Sequence, residues 1–99
     1  MPEISILTTS YNKEKYISDC ILSVKKSSFQ DWEMIILDDC SKDNTYLIAQ
    51  SFAFEDERIK VFKNDKNLGD YPNRNKIVQY ARSEYIKYLD ADDTITLGP

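Results

Sequence analysis

The chain has 99 residues, 41% hydrophobic and 30% charged, which suits one soluble domain large enough to bury a core and at the small end for an enzyme. Seventeen acidic residues against 13 basic ones give a net charge of −4, so neither a nucleic-acid backbone nor an anionic membrane surface is expected as main partner. Histidine is absent, which excludes histidine triads, histidine bases and histidine metal sites, so any metal must be held by oxygen: Mg2+, Mn2+ or Ca2+ rather than zinc.

Ile4 to Thr9 is short and β-branched, as expected of a central parallel strand covered on both faces. Ser10-Tyr11-Asn12 ends it, and Ser10 or Asn12 can cap a helix to about Lys26 in which Tyr16, Ile17, Cys20, Ile21 and Val24 form one apolar stripe. After the polar Ser27 to Asp31, Trp32 to Leu37 reads as a second buried strand that stops at Asp38-Asp39-Cys40-Ser41. Ser41 to Asn44 supplies helix-start chemistry, and Ile48, Ala49 and Phe52 line one face of the helix that follows. Arg58 to Lys63 alternates with period two and predicts a third strand, followed by a loop in which Gly69 permits a backbone conformation other residues resist. Pro72 suits the first turn of a third helix to about Arg82, with Ile77, Val78 and Ala81 inward.

Tyr85 to Leu89 then reads as a buried or half-buried strand that empties into Asp90, Asp92 and Asp93. Extended backbone alternates its side chains, so Asp90 and Asp92 are expected on one side, where they repel unless something positive, most simply a divalent metal, sits between them. Cys20 and Cys40 make no Cys-x-x-Cys pair and read as reduced thiols packed as small apolar groups. No stretch is apolar enough to span a membrane and no signal segment is visible at the start, which points to the cytosol.

The order β-α-β-α-β-α-β predicts a three-layer, Rossmann-like α/β fold with a mostly parallel sheet and Ile6, Ile36, Val61 and Leu89 in its core. Ligands of such sheets bind beyond the carboxyl ends of the strands, the edge where Thr8 to Asn12, Asp38 to Ser41 and Asp90 to Asp93 would meet. Neither Gly-x-Gly-x-x-Gly after the first strand nor a Walker-type Gly-Lys-Ser/Thr is present, so no dinucleotide cofactor or P-loop nucleotide is indicated. Each cluster also has a plainer reading: Asp38 and Asp39 as helix-start residues, Asp90 to Asp93 as a solvated turn, and Arg74 as a surface charge.

Ile-Leu-Thr-Thr-Ser-Tyr-Asn (6–12), Ile-Ile-Leu-Asp-Asp-Cys-Ser-Lys-Asp-Asn-Thr (35–45), Asn-Leu-Gly (67–69) with Arg74-Asn75, and Tyr-Ile-Lys-Tyr-Leu-Asp-Ala-Asp-Asp (85–93) together resemble the family 2 glycosyltransferases of the GT-A fold. The resemblance implies that residues 1–99 are the N-terminal part that binds a nucleotide-diphosphate sugar, with a uridine diphosphate sugar the expected donor. It implies that Thr9 and Tyr11, with Thr8 and Ser10 around them, border the base, and that Asp39 accepts a hydrogen bond from a uracil-type imide. Arg74 would approach the nucleotide or its diphosphate, and Asp90 and Ala91 would face the donor. Asp92, with Asp90 and Asp93 beside it, would hold Mg2+ or Mn2+. Transfer with inversion to a saccharide or glycolipid acceptor is implied, with the general base expected beyond Pro99. The face that the acceptor half would cover is expected to favour self-association, and the longer protein is expected in the cytoplasm or peripheral at the inner face of a membrane.

Two rivals stand beside this reading. Asp90-Ala-Asp92-Asp93-Thr94 matches the Asp-x-Asp-x-Thr motif of haloacid-dehalogenase-like phosphatases, though that motif normally follows a first strand rather than a last one. A non-catalytic module binding Ca2+ through the same carboxylates is the other, and it lacks the glycine and terminal glutamate of an EF-hand loop.

Overall fold

Two apolar, β-branched runs make the buried middle of the sheet: β1 (Ile4–Ser10) and β2 (Trp32–Asp38). In the computed structural model, which describes residues 2–97, every position of β2 is buried, and a strand buried on both faces requires cover on both sides. β3 (Ile59–Lys63) pairs with the outer side of β2 and β4 (Tyr85–Tyr88) with the outer side of β1, giving the order β3-β2-β1-β4 with every pairing parallel. The chain therefore winds one way from β1 through β3 and then returns across β1 to β4, so the direction reverses beside β1.

Strand alternation divides the core between the two faces. Ile6, Met34 and Ile36 point toward α1 (Ile17–Lys25) and α2 (Thr45–Glu55), where Ile17, Ile21, Val24 and Ala49 close over them. Leu7, Ile35 and Leu37 point the other way, toward Ile77 of α3 (Asp70–Ile77), with Phe62 and Tyr80 stacked at a ring separation of 4.1 Å. The expected three-layer fold is thus observed, with Ile6, Ile36 and Leu89 buried and Val61 half-buried. Among the described residues no helix is long and apolar enough to cross a membrane.

Four local expectations fail for physical reasons. α1 starts at Ile17 because the Lys13 carbonyl accepts the amides of Tyr16 and Ile17, both at 2.9 Å, in a turn before the helix. Asn12 does not cap it: it lies at φ 54, its side chain accepts the Lys42 amide at 2.8 Å, and Tyr16 is 51% exposed. α3 gives way after Ile77 to a 3-10 turn (Val78–Tyr80) whose tighter winding rotates Val78 out to solvent. β4 is exposed at all four positions, because as an edge strand it pairs with β1 alone. The paired acids do not arise from strand alternation either; β4 ends at Tyr88, and Asp90 to Asp93 form a turn in which the Asp93 amide donates to the Asp90 carbonyl at 2.9 Å.

Cys20 is fully buried, and burial, reinforced by nearby Asp93, Asp90 and Asp92, pushes its thiol up to about 12, so it packs as a protonated apolar group. Cys40 departs from that expectation: it is half-buried at φ 61 in the turn after β2.

Ile36→Ala, which empties a fully buried site between sheet and helices, is expected to destabilise by about 3 kcal/mol, seen as a lower urea midpoint at unchanged slope. Phe54→Ala, at a side chain 94% exposed, is expected to change stability by less than about 0.5 kcal/mol in the same assay.

Candidate functional site

The carboxyl end of β2 carries two adjacent acids that face different loops. Asp38, fully buried, accepts the Ser10 hydroxyl at 3.0 Å, the Ser41 hydroxyl at 2.6 Å and the Ser41 amide at 2.8 Å, so it latches the loop after β1 to the loop after β2. Further bonds tighten that latch: the Asn12 amide donates to the Ser41 hydroxyl, and the Lys13 amide to the Thr45 hydroxyl at 2.7 Å. Asp43 joins in by accepting the Thr45 hydroxyl and the Thr45 and Glu14 amides; burial would raise its carboxyl, but these bonds outweigh it and hold the group below the usual range.

Asp39 serves the third loop. Its Oδ1 accepts Asn64 Nδ2 at 2.9 Å and the Leu68 amide at 2.7 Å, and its Oδ2 accepts the Gly69 amide at 2.9 Å. A carboxylate offers about four acceptor positions, so one lone pair on Oδ2 remains. Gly69 sits at φ 93, a conformation that favours glycine, and its carbonyl accepts the Asn73 amide at 3.1 Å as α3 begins. Asn73 is buried and bridges Asn64 to the Leu37 carbonyl, which fixes the helix that carries Arg74.

The fourth wall is the turn after β4. Ala91 buries its methyl in the core beside α1, and the Cys20 thiol donates to the Asp90 carbonyl at 3.6 Å, so the backbone is anchored while the flanking acids stay exposed. One carboxylate oxygen each from Asp90, Asp92 and Asp93 lies within 4.8 Å of the others. Three hard oxygen donors gathered on one turn are the ligand type of a hard divalent cation, Mg2+, Mn2+ or Ca2+.

These walls enclose a cleft of about 480 Å3, within the range of small-molecule sites. Of the residues singled out from the sequence, Thr9, Ser10, Tyr11, Asp39, Arg74, Asp90, Ala91 and Asp92 line it. Thr8 does not; its side chain points from β1 toward α1 and is fully buried, one residue out of phase with Thr9. Asp93 belongs to the acidic cluster but lines a smaller neighbouring hollow with Arg74. The Arg74 guanidinium lies 4.8 Å from the centre of the Tyr88 ring, which holds it between the two hollows.

Lys13, Asn67, Asp70 and Asn73 also line the cleft and were not assigned to the site from the sequence. Asn73, a small polar residue one position before Arg74, offered the clearest signal; a lysine in a polar loop offered none. Lys13 Nζ is 3.4 Å from Asp92 Oδ2, with both side chains partly exposed.

The sequence profile of the family described as "Glycosyl transferase family 2" matches residues 5–98. The chain is 45% identical over 92 residues to TuaG of Bacillus subtilis (strain 168), a glycosyltransferase assigned to teichuronic acid biosynthesis, covering 93% of this chain and 36% of TuaG. It is 40% identical over 90 residues to the UDP-Glc:alpha-D-GlcNAc-diphosphoundecaprenol beta-1,3-glucosyltransferase WfgD of Escherichia coli, covering 91% of this chain and 35% of WfgD. Among solved structures, residues 1–349 of S. aureus TarS in complex with UDP superpose with a TM-score of 0.87 at 31% identity, over 95% of this chain and 28% of that one. The chain thus spans about a third of the length of the curated relatives it matches.

Asp39→Ala strips three donors of their acceptor, two of them backbone amides, and is expected to destabilise by about 3 kcal/mol and to speed amide hydrogen exchange at Leu68 and Gly69 far more than in β1. The Asp43 contribution should be complete above pH 3.8, the ordinary aspartate value, and fade as pH falls through the lower folded-state value, an acid loss that Asp43→Asn abolishes in pH-dependent unfolding.

Proposed function

Because the chain belongs to glycosyl transferase family 2, we propose that its cleft is the donor site of a glycosyltransferase and binds a nucleotide-diphosphate sugar, with uridine as the base. The observation that carries this reading is the convergence of three sequence-distant strand ends, Thr9 to Tyr11, Asp39 and Asp90 to Asp92, on one cleft of ligand size. WfgD is named for a UDP-Glc donor, and TarS binds UDP and UDP-GlcNAc in its crystal structures, which supports uridine over other bases.

In this reading Tyr11 and Thr9 border the base, and the remaining Oδ2 lone pair of Asp39 accepts the base imide. Arg74, steadied on Tyr88, directs its charge at the diphosphate. Asp92, with Asp90 and Asp93, holds Mg2+ or Mn2+, which when bound offsets the charge that grows on the departing diphosphate. The protein chain contributes orientation: base, ribose and diphosphate are spread along a rim whose loops are already tied down.

Residues 1–99 are then the donor-binding part of the enzyme, and the general base and acceptor site lie outside them, in the two thirds of the relatives' length that the chain does not span. A saccharide carried on a lipid diphosphate is the acceptor class that the WfgD name supports. The phosphatase reading of Asp90 and Asp92 is not favoured, since these acids follow the last strand and fall within the family match. A calcium-binding module is not favoured either, because it leaves the base-side walls of the cleft without a role.

Titration calorimetry with UDP should show binding that needs Mg2+ or Mn2+ and weakens about 10- to 100-fold in Asp92→Ala. Equal affinity with and without the metal would contradict the proposal.

A further inference from the structure

Lys13 enters the cleft from a backbone fixed on both sides. Its amide donates to the hydroxyl of fully buried Thr45 at 2.7 Å, and its carbonyl accepts the amides of Tyr16 and Ile17, each at 2.9 Å. The side chain is partly exposed, and its ammonium rests 3.4 Å from Asp92 Oδ2. Both partners are well exposed, 38% for Lys13 and 44% for Asp92, so the pair is weak, screened by salt and easily parted. Among the described residues that line the cleft, four carboxylates, Asp39, Asp70, Asp90 and Asp92, stand against two cations, Lys13 and Arg74. Of these two cations, Lys13 is the one ion-paired to the acidic turn, while Arg74 lies over the Tyr88 ring.

On the donor-site reading of this cleft, we propose that Lys13 is the resident counter-ion of the acidic turn, bound to Asp92 while the turn holds no divalent ion and transferred to the donor diphosphate when one binds. A metal ion and an ammonium compete for the Asp92 carboxylate, so Lys13 opposes metal binding to the free protein. Once displaced, the same ammonium is tethered beside the diphosphate and adds a charge-assisted contact to it. Lys13 thereby couples the two ligands: each binds better when the other is present, and the free protein retains little metal.

The two effects of removing the charge have opposite signs, which separates this role from a structural one. Lys13→Met and Lys13→Gln are expected to bind Mn2+ about two- to fivefold tighter than wild type without nucleotide, read from the free-ion signal by electron paramagnetic resonance. At saturating Mn2+ they should bind UDP about tenfold more weakly by calorimetry. Lys13→Arg, which keeps the charge, should stay close to wild type in Mn2+ affinity. Unchanged Mn2+ affinity in both neutral variants, or a joint weakening of Mn2+ and UDP binding, overturns the inference while leaving the donor site intact. A wild-type protein whose UDP affinity ignores Mn2+ overturns the donor-site reading, and this role of Lys13 with it.

Discussion

Two buried carboxylates side by side at the end of β2 set the geometry of everything around them. A buried carboxylate is unfavourable unless hydrogen bonds replace its water, and here each finds its donors in a different part of the chain. Asp38 draws on Ser10 and Ser41, and Asp39 on Asn64, Leu68 and Gly69. Neighbouring side chains on a strand point to opposite faces, so consecutive acids are able to fasten loops on either side of the sheet. The loops after β1, β2 and β3 are thus held by one dipeptide. Taken alone, both acids also read from the sequence as helix-start residues, yet neither caps a helix: α2 begins at Thr45 with Asn44 before it.

The cleft that results is asymmetric. One side, from Thr9 and Tyr11 to Asp39 and Gly69, is tied down by hydrogen bonds to Asp39, whereas the other, which the proposed reading gives to the diphosphate, is an exposed acidic turn held through Ala91 and the Cys20 thiol. Rigid walls suit a planar base recognised by shape and a single imide, because little ordering remains to be done on binding. Open carboxylates suit an ion that arrives with its ligand and leaves with the product. Lys13 stands where the two halves meet, its backbone in the locked part and its ammonium in the open one.

The fold was legible because its signals are local: period-two runs at Ile4, Trp32 and Arg58, and apolar stripes such as Ile17, Cys20, Ile21 and Val24. Strand order is not local, so Tyr85 to Tyr88 carry the composition of a buried strand and occupy an exposed edge. The candidate site was legible through the resemblance that its acids and its Tyr-Asn and Asn-Leu-Gly loops carry together, since each cluster alone also reads as an ordinary turn or helix start. What escaped depends on backbone conformation and phase. Asn12 and Cys40 adopt positive φ without being glycine, Thr8 and Thr9 differ only in which face they take, and Lys13 reaches Asp92 across 79 positions of sequence.

In the proposed reading, three strand ends form one nucleotide-diphosphate site with its metal at the acidic turn. Paramagnetic broadening tests it most directly: amide signals of the isotope-labelled protein are recorded as Mn2+ is added in substoichiometric amounts with UDP. Broadening is expected to centre on Asp90 to Asp93, extend to Lys13, Asp39 and Gly69, spare the far ends of β1 and β2, and sharpen again when Mg2+ displaces the ion. Broadening centred at the amino ends of the strands, or the same pattern with UDP absent and present, would contradict it.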